Sequence, residues 1–176
     1  LLLLFISGFL FSQDSDNQTT HQYQMMRIDA NINIDGNLDE EIWNSIPSVG
    51  DFWYSFPVDD REVEQEAQTI VKMAYDDKFI YISAVCKGVG PYIVPSLKRD
   101  NNQFWDGGDI FGITFDPVNE KTNGIGFATN PGGVQFDVLV GANTGTRGGS
   151  GGGSGFNRAW DNKWLCNSKQ HMDKWV

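Results

Sequence analysis

The feature that most constrains this chain is a pair of strand-like runs sharing one tight turn. Thr69–Tyr75 and Phe79–Cys86 are rich in branched and aromatic residues, and Asp76-Asp77 separates them. Such residues favour extended backbone, and two runs joined by a short acidic turn predict an antiparallel hairpin. In the second run Ile80, Ile82, Ala84 and Cys86 share one face, and Phe79, Tyr81 and Val85 share the other. A strand apolar on both faces belongs inside a sandwich or beside a binding surface.

The same pattern recurs along the chain. Arg27–Ile34 alternates as a strand, Asp109–Asp116 is a strand ended by Pro117, and Gly124–Thr129 is another. Asn130-Pro131-Gly132-Gly133 is a turn. Val134–Val140 then places Val134, Phe136, Val138 and Val140 on one face, with Gln135 and Asp137 opposite. Trp160–Ser168 and Lys174–Val176 read as a last hairpin, cut short. One helix interrupts the strands. Asn37 is its expected N-cap, Asp39, Glu40 and Glu41 fill its first turn, and Leu38, Ile42 and Ile46 recur every four positions before Pro47. That predicts a helix of roughly two to three turns. With no βαβ alternation, the expected fold is all-β: an antiparallel, jelly-roll-like β-sandwich with one short N-terminal helix.

Leu1–Phe11 is almost wholly apolar and shorter than the ~20 residues of a membrane-spanning helix. It fits the apolar stretch of a signal peptide. The expected organisation is a signal-peptide remnant at 1–12, a flexible polar leader at 13–26, and one sandwich domain at 27–176, truncated at its C-terminus. A Gly-rich loop at 141–155 interrupts that domain. Export permits a disulfide between Cys86 and Cys166, but each lies in an apolar run, so two buried free thiols remain an equal alternative. The net charge of −10 argues against nucleic acid, whose phosphates need Lys and Arg.

The residues for common catalysis are missing. His21 and His171 are the two histidines, one in the leader and one in a turn, and no nucleophile elbow accompanies them. Glycoside hydrolysis needs two carboxylates roughly 5 to 10 Å apart across a cleft, and only Asp106 and Asp109, beside Trp105, suggest such a pair. The chain is therefore expected to be non-catalytic. Asp35, Asn37 and Asp39 mimic the start of an EF-hand, but Glu40 stands where glycine is required and Ile46 where the closing Glu belongs. Asp59, Asp60 and Asp116 are the weaker candidates for a structural calcium between loops. The aromatic residues carry more information. Trp105 lies in the polar loop Gln103-Phe104-Trp105-Asp106-Gly107-Gly108-Asp109, and Trp160 also follows a loop. Flat rings rimmed by Gln103, Asp106 and Asp109 suit the apolar face and hydroxyls of a sugar. Plugging the ends of the sandwich is the competing role for both rings.

Three segments in order now resemble a known family. They are Ile34-Asp35-Gly36-Asn37-Leu38-Asp39-Glu40-Glu41-Ile42-Trp43, Ala74-Tyr75-Asp76-Asp77-Lys78-Phe79-Ile80-Tyr81-Ile82, and Trp105-Asp106-Gly107-Gly108-Asp109-Ile110-Phe111. Together they resemble the family-nine carbohydrate-binding modules across about 28–176. The resemblance implies a sandwich that binds oligo- or polysaccharide between two Trp rings, with structural calcium in some members. It makes Trp105 the first binding candidate and Trp160 a looser match for the second ring. It gives Asp109 a role in structure more than in binding. Phe111 stands where relatives often carry Glu, a departure that puts one polar ligand contact in doubt. The Gly-rich stretch followed by Trp160-Asp161-Asn162-Lys163-Trp164 is similar to a subgroup at the N-terminus of large bacterial outer-membrane proteins. That implies export to the periplasm, outer membrane or surface of a Gram-negative cell, with a downstream β-barrel or catalytic domain as partner.

Overall fold

The computed structural model describes residues 22–55, 61–95, 98–141 and 155–176. The expected signal remnant at 1–12, most of the leader, most of the Gly-rich loop, and Asp59 and Asp60 lie outside the described residues. Among those described, the chain is mostly β, in two mainly antiparallel sheets consistent with an all-β sandwich. None of the described helices is long and apolar enough to cross a membrane.

The first sheet begins with β1 (Met26–Arg27) and, after a single helical turn at Ile42–Ser45, β2 (Ser48–Val49). Its centre is the predicted hairpin, β3 (Thr69–Tyr75) and β4 (Ile80–Lys87), in continuous register from Thr69↔Cys86 to Tyr75↔Ile80. The turn closes because Asp76 Oδ1 accepts from the backbone N–H groups of Lys78 and Phe79, both at 2.7 Å. The second sheet consists of β5 (Phe111–Phe115), β6 (Asn123–Thr129), β7 (Gln135–Gly141) and β8 (Phe156–Asn157), in that order. β9 (Lys174–Trp175) returns to the first sheet and pairs with β4 at Cys86↔Trp175.

Three expectations need correction. The strand expected over Arg27–Ile34 is only Met26–Arg27. β1 runs parallel to β3 with Met26 opposite Ala74, so by Ile28 it has reached the end of β3 and its turn. Ile28 and Ile32 turn instead into an apolar cluster with Trp43, Ile46 and Ala74. The helix expected from Asn37 is a single turn that starts after Glu41, with no side-chain cap. Its intended caps are engaged elsewhere. Asp35 accepts from Asn37 N at 2.8 Å, Asn37 Oδ1 accepts from Lys169 Nζ at 2.7 Å, and Glu40 accepts from Asn33 N and Trp43 Nε1. The Asp35 bond favours a local turn over helix, and the Lys169 bond takes the Asn37 side chain away from capping. The apolar stripe survives: Leu38 and Ile42 pack on the same cluster as Ile46. Finally, the last hairpin is Lys169–Val176 rather than one built on Trp160–Ser168. Lys169 and Val176 exchange two backbone bonds of 2.9 Å.

The second cluster lies on one face of the other sheet. Phe104, Ala128, Val134, Phe136 and Val138 are buried there, with Ile110 and Val140 against them. This bears out the apolar face read from β7 and its approach. Phe104 stacks on Phe136 with centroids 5.1 Å apart and planes at 18°. Burying such a ring is worth ~2–3 kcal/mol. The polar face of β7 is not solvent-exposed as its alternation suggests, because Asp137 is completely buried.

Candidate functional site

The loop between β4 and β5 carries the predicted aromatic. Asn102–Trp105 forms a 3-10 turn, and Asn101 Oδ1 caps it by accepting from Gln103 N at 2.9 Å. Phe104 points into the core with no exposed surface, so the next side chain, Trp105, points outward and is 48% exposed. Its ring is not loose. It meets Phe104 and Phe136 edge-on, each at a centroid distance of 5.3 Å. Gln103 and Asp106, two positions before it and one after it in the chain, are exposed. Asp109 is part of the scaffold: its Oδ2 accepts from Ile93 N at 2.8 Å and its N–H donates to Ile93 O at 3.0 Å.

Trp160 is not beside Trp105. It is half-buried against Phe127, at 6.0 Å and 61°. Phe127 pairs with Asp137, and Ala128 with Phe136. Successive residues in a strand point to opposite faces, so the rings that hold Trp105 and Trp160 project from opposite sides of the sheet. The described structure therefore does not bring the two rings together as a clamp. Trp164 shares the face of Trp160, with its ring 5.3 Å from Phe127. Trp43 is core, at 4% exposed.

The strongest polar constellation was not anticipated. Arg99 Nη2 donates to Asp137 Oδ1 at 2.6 Å, Asp161 Oδ1 at 2.7 Å and Asn162 O at 2.7 Å. Its Nε donates to Asp100 Oδ2 at 3.1 Å and its Nη1 to Gln135 Oε1 at 2.7 Å. Asp137 also accepts from Asn162 N at 2.6 Å and Trp164 Nε1 at 3.3 Å. Burial acts to lower the Arg99 pKa, but Asp137, Asp100 and Asp161 more than offset it, so the guanidinium is held charged above its ordinary range. Sequence offered little signal here, because Arg99, Asp137 and Asp161 are far apart in the chain and each reads as a surface charge.

Among the described residues, one carboxylate cluster has the spacing of metal ligands. Asp100, Asp137 and Asp161 bring oxygens within 4.8 Å of one another, and the Arg99 guanidinium, which bonds all three, offsets one of their three negative charges. Asp116 accepts from the N–H groups of Val118, Glu120 and Lys121, which hold its carboxyl below the usual range. Its oxygens serve a loop turn. Cys86 and Cys166 are free thiols. Burial pushes Cys86 up to about 11 and raises Cys166, whose bond to Thr129 acts the other way.

Two other surface features do not include Trp105. A depression of 360 Å³ is lined by Met25, Tyr75, Phe79, Ile80 and the turn between β3 and β4. Trp53 is 52% exposed on a hairpin fixed by the buried Gln68 side chain, which bonds Phe52 and Val63 backbone groups. No protein-family model, curated protein or solved structure matches this chain.

Proposed function

We propose that this chain is a non-catalytic glycan-binding domain of an exported bacterial protein, with a jelly-roll-like sandwich as its scaffold. The observation that carries this reading is the Trp105 ring, exposed yet braced edge-on by two core aromatics. A braced ring presents a flat apolar face at little cost in lost side-chain freedom. Gln103 and Asp106 beside it offer acceptors and donors for sugar hydroxyls. The ordered resemblance to family-nine modules supports the same ligand class. In this reading the partner is an oligo- or polysaccharide met outside the cytoplasm, and further domains of a longer protein supply any catalysis.

The separation of Trp105 from Trp160 favours a single-ring platform over a two-ring clamp. It also gives substance to a second reading, a structural or interaction domain without a sugar site. Calorimetric titration against a panel of soluble oligosaccharides, with and without EDTA, separates the two. The glycan reading expects binding by the parent that is lost in a folded Trp105→Ala variant and is unaffected by EDTA. A folded parent that binds nothing on the panel overturns it.

A further inference from the structure

The loop that bears Trp105 does more than follow the sheet: it straddles an edge of it. β8 pairs with β7 only at Leu139 and Val140, which leaves the edge of β7 from Gln135 to Val138 open to the loop. Asp100 docks on that edge in place of a strand. Its N–H donates to Gln135 O at 3.1 Å, and its Oδ1 accepts from Asp137 N at 3.1 Å. On one side of the edge Arg99 grips Asp137. On the other side Phe104 stacks on Phe136. Asp137 and Phe136 are neighbours and so project from opposite faces. Trp105 follows directly after the second grip.

We propose that Arg99 is a positioning residue for Trp105: it is one jaw of a clip, with Phe104 as the other, that sets where the exposed ring stands. This rests on the reading of Trp105 as the glycan platform. An Arg fork suits the task because its planar donors bind several oxygens in fixed directions, which an ammonium cannot do. It also ties the loop to Asp161 and Asn162, so the chain on both sides of the Gly-rich stretch helps to hold the ring.

The test uses the full chain labelled with 5-fluorotryptophan and read by fluorine NMR. The Trp105 resonance is assigned by its loss in Trp105→Phe. Arg99→Met alone strands Asp137 as a buried carboxylate, so it is made together with Asp137→Asn, whose single amide oxygen keeps the shorter bond from Asn162 N and gives up the longer one from Trp164 Nε1. The expected result is a shifted or broadened Trp105 resonance with those of Trp43 and Trp175 unmoved. The expected loss of affinity for the best-bound oligosaccharide is about tenfold. Asp161→Asn, which removes one exposed partner of Arg99, is a milder second variant. It should move the Trp105 resonance in the same direction by less. A Trp105 resonance that stays put in both folded variants overturns the proposal, as does one that moves only together with Trp43 and Trp175. If the parent binds no oligosaccharide, the glycan reading fails separately, and the fluorine comparison still decides whether Arg99 positions the ring.

Discussion

Asp137 is a carboxylate with no exposed surface, tolerable because three donors are aimed at it. Arg99, Asn162 and Trp164 together satisfy both of its oxygens. Removing one partner of a buried ion pair leaves a desolvated charge, which costs more than the pair itself contributed. Arg99→Met is therefore expected to lower stability by ~3–5 kcal/mol in urea denaturation. Adding Asp137→Asn should restore much of the loss, and a double variant no more stable than the single one would show that the charge is not the cause. The cysteines make a second expectation at this scale. A thiol with its pKa at about 11 holds almost no thiolate near neutrality. Cys86 should not react with a disulfide reagent at pH 8 until the chain is unfolded, and its rapid reaction in the folded chain would contradict its burial.

At the scale of the element, β4 is half-partnered. Lys87 N donates to Gln68 O on the β3 side, so the alternation of an antiparallel ladder turns Tyr81, Ser83 and Val85 toward β3. Ile80, Ile82 and Ala84 point their N–H groups the other way, where β9 reaches only Cys86 and Lys87. They have no backbone partner among the described residues. Hydrogen exchange should therefore alternate along β4, slow at odd positions and fast at even ones from Ile80 to Ala84. Uniform protection would show that another strand covers this edge. The entry to β5 is sensitive for a different reason. A Cβ on Gly108 would stand 2.3 Å from Pro95 Cδ and 2.8 Å from Ile93 O, against the segment that Asp109 pins. Gly108→Ala should cost ~1–3 kcal/mol by overpacking, measured from the denaturation midpoint.

At the scale of the whole molecule, the strap at 164–170 ties the second sheet to the 34–37 segment. Trp164 O accepts from Gln135, Cys166 meets Thr129, Asn167 donates to Ile34 O, Lys169 to Asn37, and Gln170 to Pro131 O. Gly36, at φ +80°, lets the strap pass, since a Cβ there would lie 3.0 Å from the Ser168 backbone. Acid acts on the whole chain in two stages. The isoelectric point is about 4.4, so solubility should be least near that pH, where repulsion between copies vanishes. Asp35, Asp76 and Asp116 have pKa values lowered first of all by backbone N–H donors. A depressed carboxyl contributes stability that is present above its unfolded value of 3.8 and lost as pH falls through the lower folded value. Thermal unfolding followed by circular dichroism should show stability declining only below that range. A decline that begins near neutrality would point to other groups.

Local chemistry alone determined the parts of this protein that depend on neighbours in the chain. The β3–β4 hairpin, the apolar face of β7 and the loop that presents Trp105 were legible because alternation and turn residues act over a few positions. The acidic turn at Asp76-Asp77 closes as its side chains dictate. Tertiary structure decided what depends on residues far apart. Asn37 was drawn from its capping role by Lys169, Asp137 was buried by Arg99 and by the strap, and Trp160 was placed against the far side of the sheet from Trp105. In each case a distant partner offered a better bond or a better surface than the local one, and no window of sequence contains both partners.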